Sequence, residues 1–402
     1  MKRFDCFFLM LLIVIAFPFS GCSHDRSIKQ QHHTYSFKNC DTIVCDKFKL
    51  VNSLSTVGHS KMSIYPIGDN DSFNIQQQLL KSYLEKYSEI ESHSGFVKIP
   101  KIKKNLLIGD TNFSIKLIKQ FLFQTDDIAL LDTTPIFDTV LLVGIKSFQS
   151  RMGYQPTGHL STSIIAEMNV PAKVRMKQME RNIEKFKKFN PNQFSNYLLV
   201  NIPEFKLHLY ESNRLLWSMK IIVGKTSHPT AVFENKIQYV VFSPYWNVPR
   251  SILINELMPL INHNKKYLSN NNMEWVGGNL RQRPGPDNPL GLVKFLFPNK
   301  YNMYLHDTPA KSLFSQNKRT FSHGCIRIAE AKKLAEYLLK NDPDWNKSSI
   351  QNAMNARVER FVKLKKPLPI FIAYFTSWID EEGKLQFRKD IYNKENNAVK
   401  QL

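Results

Sequence analysis

The spacing of apolar residues changes near Tyr197, and this change constrains the fold more than any other feature of the chain. Before it, apolar residues recur every three or four positions, a spacing typical of amphipathic helices. After it, short or alternating apolar runs lie between Pro, Asn and Ser turn signals, which is typical of strands. We therefore predict an α+β chain, in which helices precede a β-rich domain that is barrel-like or sandwiched.

The predicted helices share the three- and four-residue spacing, and some have a recognisable end. Ser161 is placed to cap a short helix, and Gly153 to end the helix before it. The other helices are predicted at residues 75–93, 114–123, 138–151, 172–189, 252–260 and 329–340. Strands are predicted at residues 197–202, 206–210, 215–223, 237–242, 293–297, 301–305 and 368–375.

One stretch of the β-rich part carries side chains suited to covalent chemistry. His306 ends an apolar run, and after fifteen intervening residues the chain reads Ser322-His323-Gly324-Cys325 before a predicted helix. A cysteine at a helix N-terminus is stabilised as a thiolate nucleophile, and a nearby imidazole has to accept its proton. Either histidine meets that need, while backbone N–H groups around Gly324 and Cys325 suit an oxyanion.

A structural zinc site is the main alternative for these side chains, because cysteine and histidine are its usual ligands. Such a site takes four ligands in closely spaced pairs. Only His306, His323 and Cys325 are available in this stretch, without a C-x-x-C pair. We therefore favour a nucleophilic centre that uses no metal and no cofactor.

The spacing of this stretch resembles the signature of the L,D-transpeptidases with a YkuD-type catalytic domain. The resemblance implies that Cys325 is the nucleophile and that His306 is the general base and acid. It also implies that Ser322, His323 and Gly324 shape the oxyanion hole. The implied enzyme is a cysteine-dependent acyltransferase.

Matches outside this stretch resemble the larger periplasmic, YcbB-like subgroup of the family, in which a wall-binding domain precedes the catalytic domain. Residues 110–171 resemble a helical peptidoglycan-binding domain, and a purely structural helical unit is the alternative. Residues 251–290 interrupt the strand pattern where the subgroup carries a cap over its active site. A surface loop without function is the alternative for this insertion.

Four further residues are candidates for substrate contact. Tyr304 shares a strand face with the predicted base, and Trp246 and Asn247 lie just before the insertion. Arg327 follows the nucleophile by two residues, at a position where the family often has asparagine, and is suited to a substrate carboxylate. Core packing is the alternative for Trp246, and a surface charge is the alternative for Arg327.

Residues 1–22 are typical of an exported lipoprotein. Basic residues precede an apolar run that is too short to span a bilayer, and Phe-Ser-Gly-Cys then ends at Cys22. This resembles a lipoprotein cleavage box, which implies a lipid on Cys22 and a periplasmic location, anchored at the outer membrane. An uncleaved signal-anchor is the alternative. Of the five cysteines, Cys6 would leave with the signal segment and Cys22 would carry the lipid. Cys40 and Cys45 are close enough to form a disulfide, which leaves Cys325 unpaired.

The net charge of +21 indicates an anionic neighbourhood. The chain has no nucleic-acid-binding motif, so we expect no nucleic-acid partner and attribute the charge to an anionic cell envelope.

The predicted division of the chain follows these features. It consists of a signal segment at 1–22, a polar tether at 23–72, a helical segment at 73–109, the peptidoglycan-binding-like domain at 110–171, a connector helix at 172–196, the catalytic domain at 197–378 and a polar tail at 379–402.

The family resemblance implies that peptidoglycan stem peptides are both donor and acceptor. The reaction forms 3→3 cross-links through a cysteine thioester and releases D-alanine from tetrapeptides. A different acceptor, namely an outer-membrane protein lysine, a D-amino acid or water, is one alternative. A catalytically idle, wall-anchoring lipoprotein is the other.

Overall fold

The computed structural model describes residues 72–102, 105–189, 191 and 193–397. The predicted signal segment with Cys22, residues 23–71 of the predicted tether and the predicted Cys40–Cys45 disulfide lie outside them. Within the described residues, none of the helices is long and apolar enough to cross a bilayer.

Helices make up the first part of the described chain, as predicted. They are α1 (Ser72–Ser92), α2 (Phe113–Gln124), α3 (Thr139–Arg151), α4 (Thr162–Met168) and α5 (Ala172–Lys188). Three of them begin where a polar side chain accepts a hydrogen bond from a free backbone N–H of the first turn. These caps are Asn112, Asp138 and Ser161. The predicted cap at Ser161 is confirmed.

Strands dominate from Tyr197 onwards, and most of them form one sheet. They are β1 (Tyr197–Asn201), β2 (Lys206–Glu211), β3 (Arg214–Gly224), β4 (Phe233–Phe242), β5 (Trp246–Asn247), β6 (Met273–Val276), β7 (Asn279–Gln282), β8 (Val293–Leu296), β9 (Tyr304–His306), β10 (Thr320–Ser322), β11 (Ile326–Ile328), β12 (Arg360–Ala373), β13 (Ser377–Ile379) and β14 (Leu385–Phe387). The sheet order is β10-β3-β11-β9-β8-β4-β12-β1-β2, and β3 also pairs with β2. This last pairing closes the sheet, so the predicted barrel-like β-rich domain is confirmed.

The segment between β4 and β8 forms a separate small unit, which we call the cap. It contains α6 (Arg250–Ile252), a π-helical turn (Leu253–Leu257), α7 (Met258–His263), α8 (Tyr267–Asn270) and the sheet β5-β7-β6. Leu257, Met273 and Leu280 form its own apolar cluster, apart from the barrel core. The predicted helix at 252–260 is confirmed, and it extends further at both ends.

Three more helices lie after β11 in the chain. They are α9 (Ala331–Leu338), α10 (Lys347–Asn355) and α11 (Lys394–Asn397). Leu334 of α9 and Ile350 of α10 belong to the same apolar cluster as the barrel residues Leu305 and Ile326. Because these helices pack into the same apolar cluster as β9 and β11, they help to hold both strands in fixed positions.

A second apolar cluster joins the first helices to the outer face of the barrel. It runs from Leu80 of α1 to Phe387 of β14 and includes Tyr197 and Phe371 of the barrel strands. Polar contacts follow the same boundary: the Arg388 guanidinium donates to the Arg151 carbonyl over 2.8 Å.

Two predictions about strands and the chain end were wrong in their bounds. The strand predicted at 301–305 is Tyr304–His306, because Asn302 has φ +53° and the Asn299 side chain accepts from the N–H groups of Tyr301 and Met303. These bonds make a turn where the pattern indicated a strand.

The predicted polar tail at 379–402 also needs correction over its described part. Leu385 and Phe387 are 2% and 1% exposed, and β13 pairs with β14 as a hairpin. The charged residues between the buried positions made this segment look like a solvated tail. This segment is instead part of the packed body, and it includes the buried Tyr392.

The buried ion pair of the helical layer gives a test of this packing. The Arg151 guanidinium donates to both carboxylate oxygens of Asp127, with Nε–Oδ1 at 2.8 Å and Nη2–Oδ2 at 2.6 Å. Asp127→Ala leaves a buried cation unpaired, so we expect a loss of about 3–5 kcal/mol in the free energy of unfolding, measured by urea denaturation. Glu184→Ala breaks the exposed Glu184–Lys187 pair and is the matched control. An equal effect of both changes would contradict the expectation.

Candidate active site

The candidate site lies on one face of two neighbouring parallel strands. The pairing of β9 with β11 sets Ile326 opposite Leu305 and Arg327 opposite His306. Leu305 and Ile326 are fully buried in the barrel core. Because side chains alternate along a strand, Tyr304 and His306 point away from that core, as do the residues on either side of Ile326. The register therefore brings four of the predicted site residues to one surface.

Cys325 lies at the edge of this surface, directly before β11. Its side chain is half-buried, and the thiol lies 3.9 Å from the Asn302 carbonyl oxygen. Tyr304 reaches the sulfur with both its hydroxyl and its backbone N–H. Tyr304, predicted from its shared strand face with His306 as a substrate contact, thus also contacts Cys325 directly.

The prediction that Cys325 begins a helix was wrong. Ile326–Ile328 form a strand, and the next helix begins only at Ala331. Two β-branched residues alternating with Arg327 suit a strand that is buried on one face. A helix macrodipole therefore does not stabilise a thiolate at this position.

Burial instead raises the pKa of the Cys325 thiol, although the hydrogen bonds from Tyr304 and the charge of Arg327 oppose that rise. The resting sulfur is accordingly a neutral thiol, and a base has to remove its proton during attack.

The hydrogen bonding of His306 gives its ring the tautomer that such a base needs. Its side chain is buried, and Nδ1 lies 2.6 Å from the backbone oxygen of Asp307. Because that oxygen can only accept, Nδ1 carries the hydrogen in the neutral ring, and the lone pair is on Nε2. The tautomer needed to take a proton is therefore set by the backbone of the next residue.

Burial and two cations keep this imidazole neutral. Lys294 of β8 and Arg327 of β11 both lie opposite His306 in the register of their strands. Burial first, and then these two charges, lower the pKa of His306 to about 3, against the opposing effect of Asp307. The resting pair is thus a thiol and a neutral imidazole.

The loop before Cys325 is closed by hydrogen bonds from Ser322. The Ser322 hydroxyl donates to the Cys325 carbonyl over 2.5 Å and accepts from the Gly324 N–H over 3.2 Å. Gly324 has φ +114°, which side chains rarely allow. The need for glycine at this position follows from that backbone angle.

His323 points toward the cap. Its Nε2 lies 2.7 Å from Oε1 of Glu256, which belongs to the π-helical turn of the cap. Its ring also packs edge-on against His228, with the ring centroids 5.6 Å apart. These contacts make His323 a link between cap and loop, and they leave His306 as the candidate base.

The remaining predicted contacts lie in different surroundings. Trp246 packs against the apolar cluster of the cap, in agreement with the core alternative for this residue. Asn247 lines a concavity of about 330 Å³ on the cap, together with Val248, Val276, Asn279, Leu280 and Arg281. Arg327 is half-buried, its Nε has no hydrogen-bond partner within the described residues, and burial lowers its pKa. It is therefore not a simple surface charge.

Several residues around the site were not predicted from the sequence. Lys294, Glu256, Thr230 and Tyr392 all reach the site or its loop from other segments. Thr230 follows Pro229 in the irregular segment between β3 and β4, and Tyr392 lies in the expected tail, so neither had a local signal that linked it to Cys325.

Parts of the chain are similar in sequence to known proteins. Residues 195–345 match the model of the L,D-transpeptidase catalytic domain, the YkuD family. A candidate L,D-transpeptidase of Haemophilus influenzae is 30% identical over 220 residues, which are 50% of this chain and 44% of that protein. The chain thus spans less than half the length of this curated relative.

Solved structures also resemble the chain. An L,D-transpeptidase from Mycobacterium smegmatis is 17% identical, with 44% of this chain and 58% of that chain covered and a TM-score of 0.26. An L,D-transpeptidase from Stackebrandtia nassauensis is 13% identical, with 67% and 94% covered and a TM-score of 0.28.

The buried neutral His306 predicts how stability depends on pH. The unfolded chain binds a proton on this ring below its ordinary pKa of 6.5, whereas the folded chain does so only near 3. Stability should therefore fall as pH drops from about 6.5 toward 3. His306→Asn should reduce this loss, as measured by urea denaturation at several pH values. Exchange of the exposed His159 for Asn is the control and should leave the loss unchanged. Equal pH dependence in wild type and His306→Asn would contradict the expectation.

Proposed function

We propose, from the match of residues 195–345 to the L,D-transpeptidase catalytic domain, that this protein is a cysteine-dependent L,D-transpeptidase acting on peptidoglycan stem peptides. It forms 3→3 cross-links through a thioester on Cys325. The observation that carries the proposal is the shared face of β9 and β11. There a half-buried thiol lies one strand away from a buried, neutral imidazole whose Nε2 is free of a proton.

The first half-reaction is acylation of Cys325. His306 Nε2 accepts the thiol proton while the sulfur attacks the carbonyl carbon that precedes a terminal D-alanine. This carbonyl belongs to the L-centre of a diamino acid such as meso-diaminopimelate. The C–S bond forms, the carbonyl oxygen becomes an oxyanion, and backbone N–H donors of the Ser322–Cys325 loop stabilise it. The C–N bond then breaks, and D-alanine leaves with the proton from His306.

The second half-reaction transfers the acyl group. The side-chain amine of a second stem peptide attacks the thioester, His306 takes a proton from that amine, and the thiol is regenerated as the C–S bond breaks. A protein lysine, a D-amino acid or water can attack the thioester by the same chemistry at this step. Cross-linking is favoured by the family match, while the acceptor is decided by the shape of the cleft.

Arg327 is the residue best suited to the substrate carboxylate. Its guanidinium lies on the reactive face opposite His306, and its Nε has no hydrogen-bond partner among the residues that the structure describes. A buried donor without a partner is unfavourable, so a bound anion would stabilise it. The carboxylate of the leaving D-alanine is only a few bonds from the attacked carbon. Arg327 thus selects a donor that ends at this residue.

In our proposal, the rest of the chain places the catalytic domain near the cell wall. Cys22 carries the lipid, the tether from residue 23 reaches from the outer membrane through the periplasm, and residues 110–171 bind the wall. The support for these roles is the sequence resemblance alone. A catalytically idle wall anchor remains the alternative of a different class, and the placement of Cys325 and His306 on one strand face disfavours it.

The direct test incubates the purified protein with disaccharide-tetrapeptides and follows the products by mass spectrometry. We expect loss of D-alanine together with cross-linked dimers. Cys325→Ala should abolish both products, because no thioester can form. D-alanine loss without dimers would redirect the proposal to water or another acceptor, and wall binding without turnover would favour the idle anchor.

Arg327 is tested with a matched pair of substrates. Arg327→Gln should raise the KM for a stem peptide with a free terminal carboxylate on the order of 10-fold or more, because a charge-assisted hydrogen bond is lost. The control is a stem peptide amidated at that terminus, which lacks the charge. Its kcat/KM should already be lower with the wild-type protein, and Arg327→Gln should not lower it further. An equal loss on both substrates would show that Arg327 acts on the fold or on His306.

A further inference from the structure

A buried hydroxyl contacts the Ser322–Cys325 loop. Thr230, in the segment between β3 and β4, is fully buried. Its Oγ1 accepts from the Gly224 N–H and donates to the Gly324 carbonyl oxygen, both over 2.9 Å. One hydroxyl therefore ties the end of β3 to the residue directly before Cys325.

Tyr392 locks this contact from the far end of the chain. Its hydroxyl donates to the Gly224 carbonyl oxygen over 2.7 Å and accepts from the Thr230 N–H over 3.3 Å. Gly224 has no room for a side chain, since a Cβ there would lie 2.0 Å from the His228 oxygen and 3.2 Å from Gly324 Cα. We call Gly224, Thr230 and Tyr392 the brace.

The brace decides which way one peptide group points. In a trans peptide, the carbonyl of one residue and the N–H of the next lie on opposite sides of the bond. Thr230 holds the Gly324 carbonyl toward the interior, so the Cys325 N–H is turned away from it. The Gly324 N–H donates to Ser322, whereas within the described residues the Cys325 N–H donates to no protein group.

We propose that Thr230 is the positioning residue of the oxyanion hole, and that it acts by aiming the Cys325 N–H at the oxygen of the attacked carbonyl. The inference rests on the proposed acyl-transfer chemistry of Cys325. It deepens that chemistry by naming the donor and the residue that orients it. Gly324 makes such a brace necessary, because a glycine with φ +114° resists rotation of its peptide less than other residues do.

Two probes separate this role from a structural one. Acylation by 4-nitrophenyl acetate forms a C–S bond, develops an oxyanion, breaks the ester C–O bond and releases 4-nitrophenolate, while the thiol proton passes to His306. Alkylation by iodoacetamide forms a C–S bond and releases iodide without any oxyanion. Both rates are measured on the full chain, and the rates of Cys325→Ala are subtracted to remove the other cysteines.

Thr230→Val keeps the shape of the side chain and removes both hydrogen bonds of Oγ1. We expect its acylation rate to fall on the order of 100-fold, as when an oxyanion-hole donor is lost. The alkylation rate should stay within about twofold, because that reaction develops no oxyanion. Thr230→Ser should restore acylation, since it keeps the hydroxyl. Thr376→Val, which removes another fully buried hydroxyl away from the loop, should change neither rate.

Each other outcome overturns the inference. An equal fall of both rates would mean that Thr230 maintains the thiol or the loop as a whole. Unchanged acylation would mean that the Cys325 N–H needs no brace. If Thr230→Val does not fold, Tyr392→Phe supplies the same comparison, with an expected selective loss of acylation. Failure of the proposed function is recognised separately, because the ester assay uses no stem peptide.

Discussion

The parallel pairing of β9 with β11 is the contact on which the site depends. β10 lies between these two strands in the chain. The pairing of β9 with β11 sets His306 and Cys325 on one face. Leu305 and Ile326 anchor the pair by pointing into the core. A register shift of one residue would turn the reactive side chains inward and the apolar ones outward. The chemistry of the face is thus secured by the burial of the opposite face.

The electrostatics of this face follow from the same register. Lys294 and Arg327 flank His306 from the two neighbouring strands, so the imidazole stays neutral and ready to accept a proton. The same burial keeps the Cys325 sulfur protonated at rest. A pair of this kind is activated by substrate rather than in advance, because a proton has to move only when a carbonyl is in place.

Local patterns predicted most of the helices and seven of the fourteen strands, together with a candidate nucleophile and a candidate base, and they failed where distant segments decide the structure. Caps such as Asp138 are readable from sequence because their hydrogen bonds are local. The β6–β7 hairpin had a usable signal in Gly277-Gly278, both of which have positive φ, but the surrounding Asn-rich segment concealed it. Cys325 looked like a helix start because Ala329 and the residues after it have a helical pattern, while the pairing of Ile326 with β9 is long-range. The contact of Tyr392 with Gly224 spans 168 residues and leaves no local trace.

The Ser322–Cys325 loop is held by contacts on two sides. One contact is fully buried, and the other is partly exposed. Beneath it, Thr230 is fully buried and bonded to backbone groups, so that contact is permanent in the folded chain. Above it, His323 meets Glu256 of the cap through partly exposed side chains, a contact that solvent weakens. Glu256 also lies in a π-helical turn, which proteins use mostly at functional positions. A cap with its own apolar cluster can move as a unit while the loop stays fixed. A fixed contact below and a weaker contact above suit the proposed reaction, in which substrate has to reach Cys325 while the orientation of the Cys325 N–H is kept.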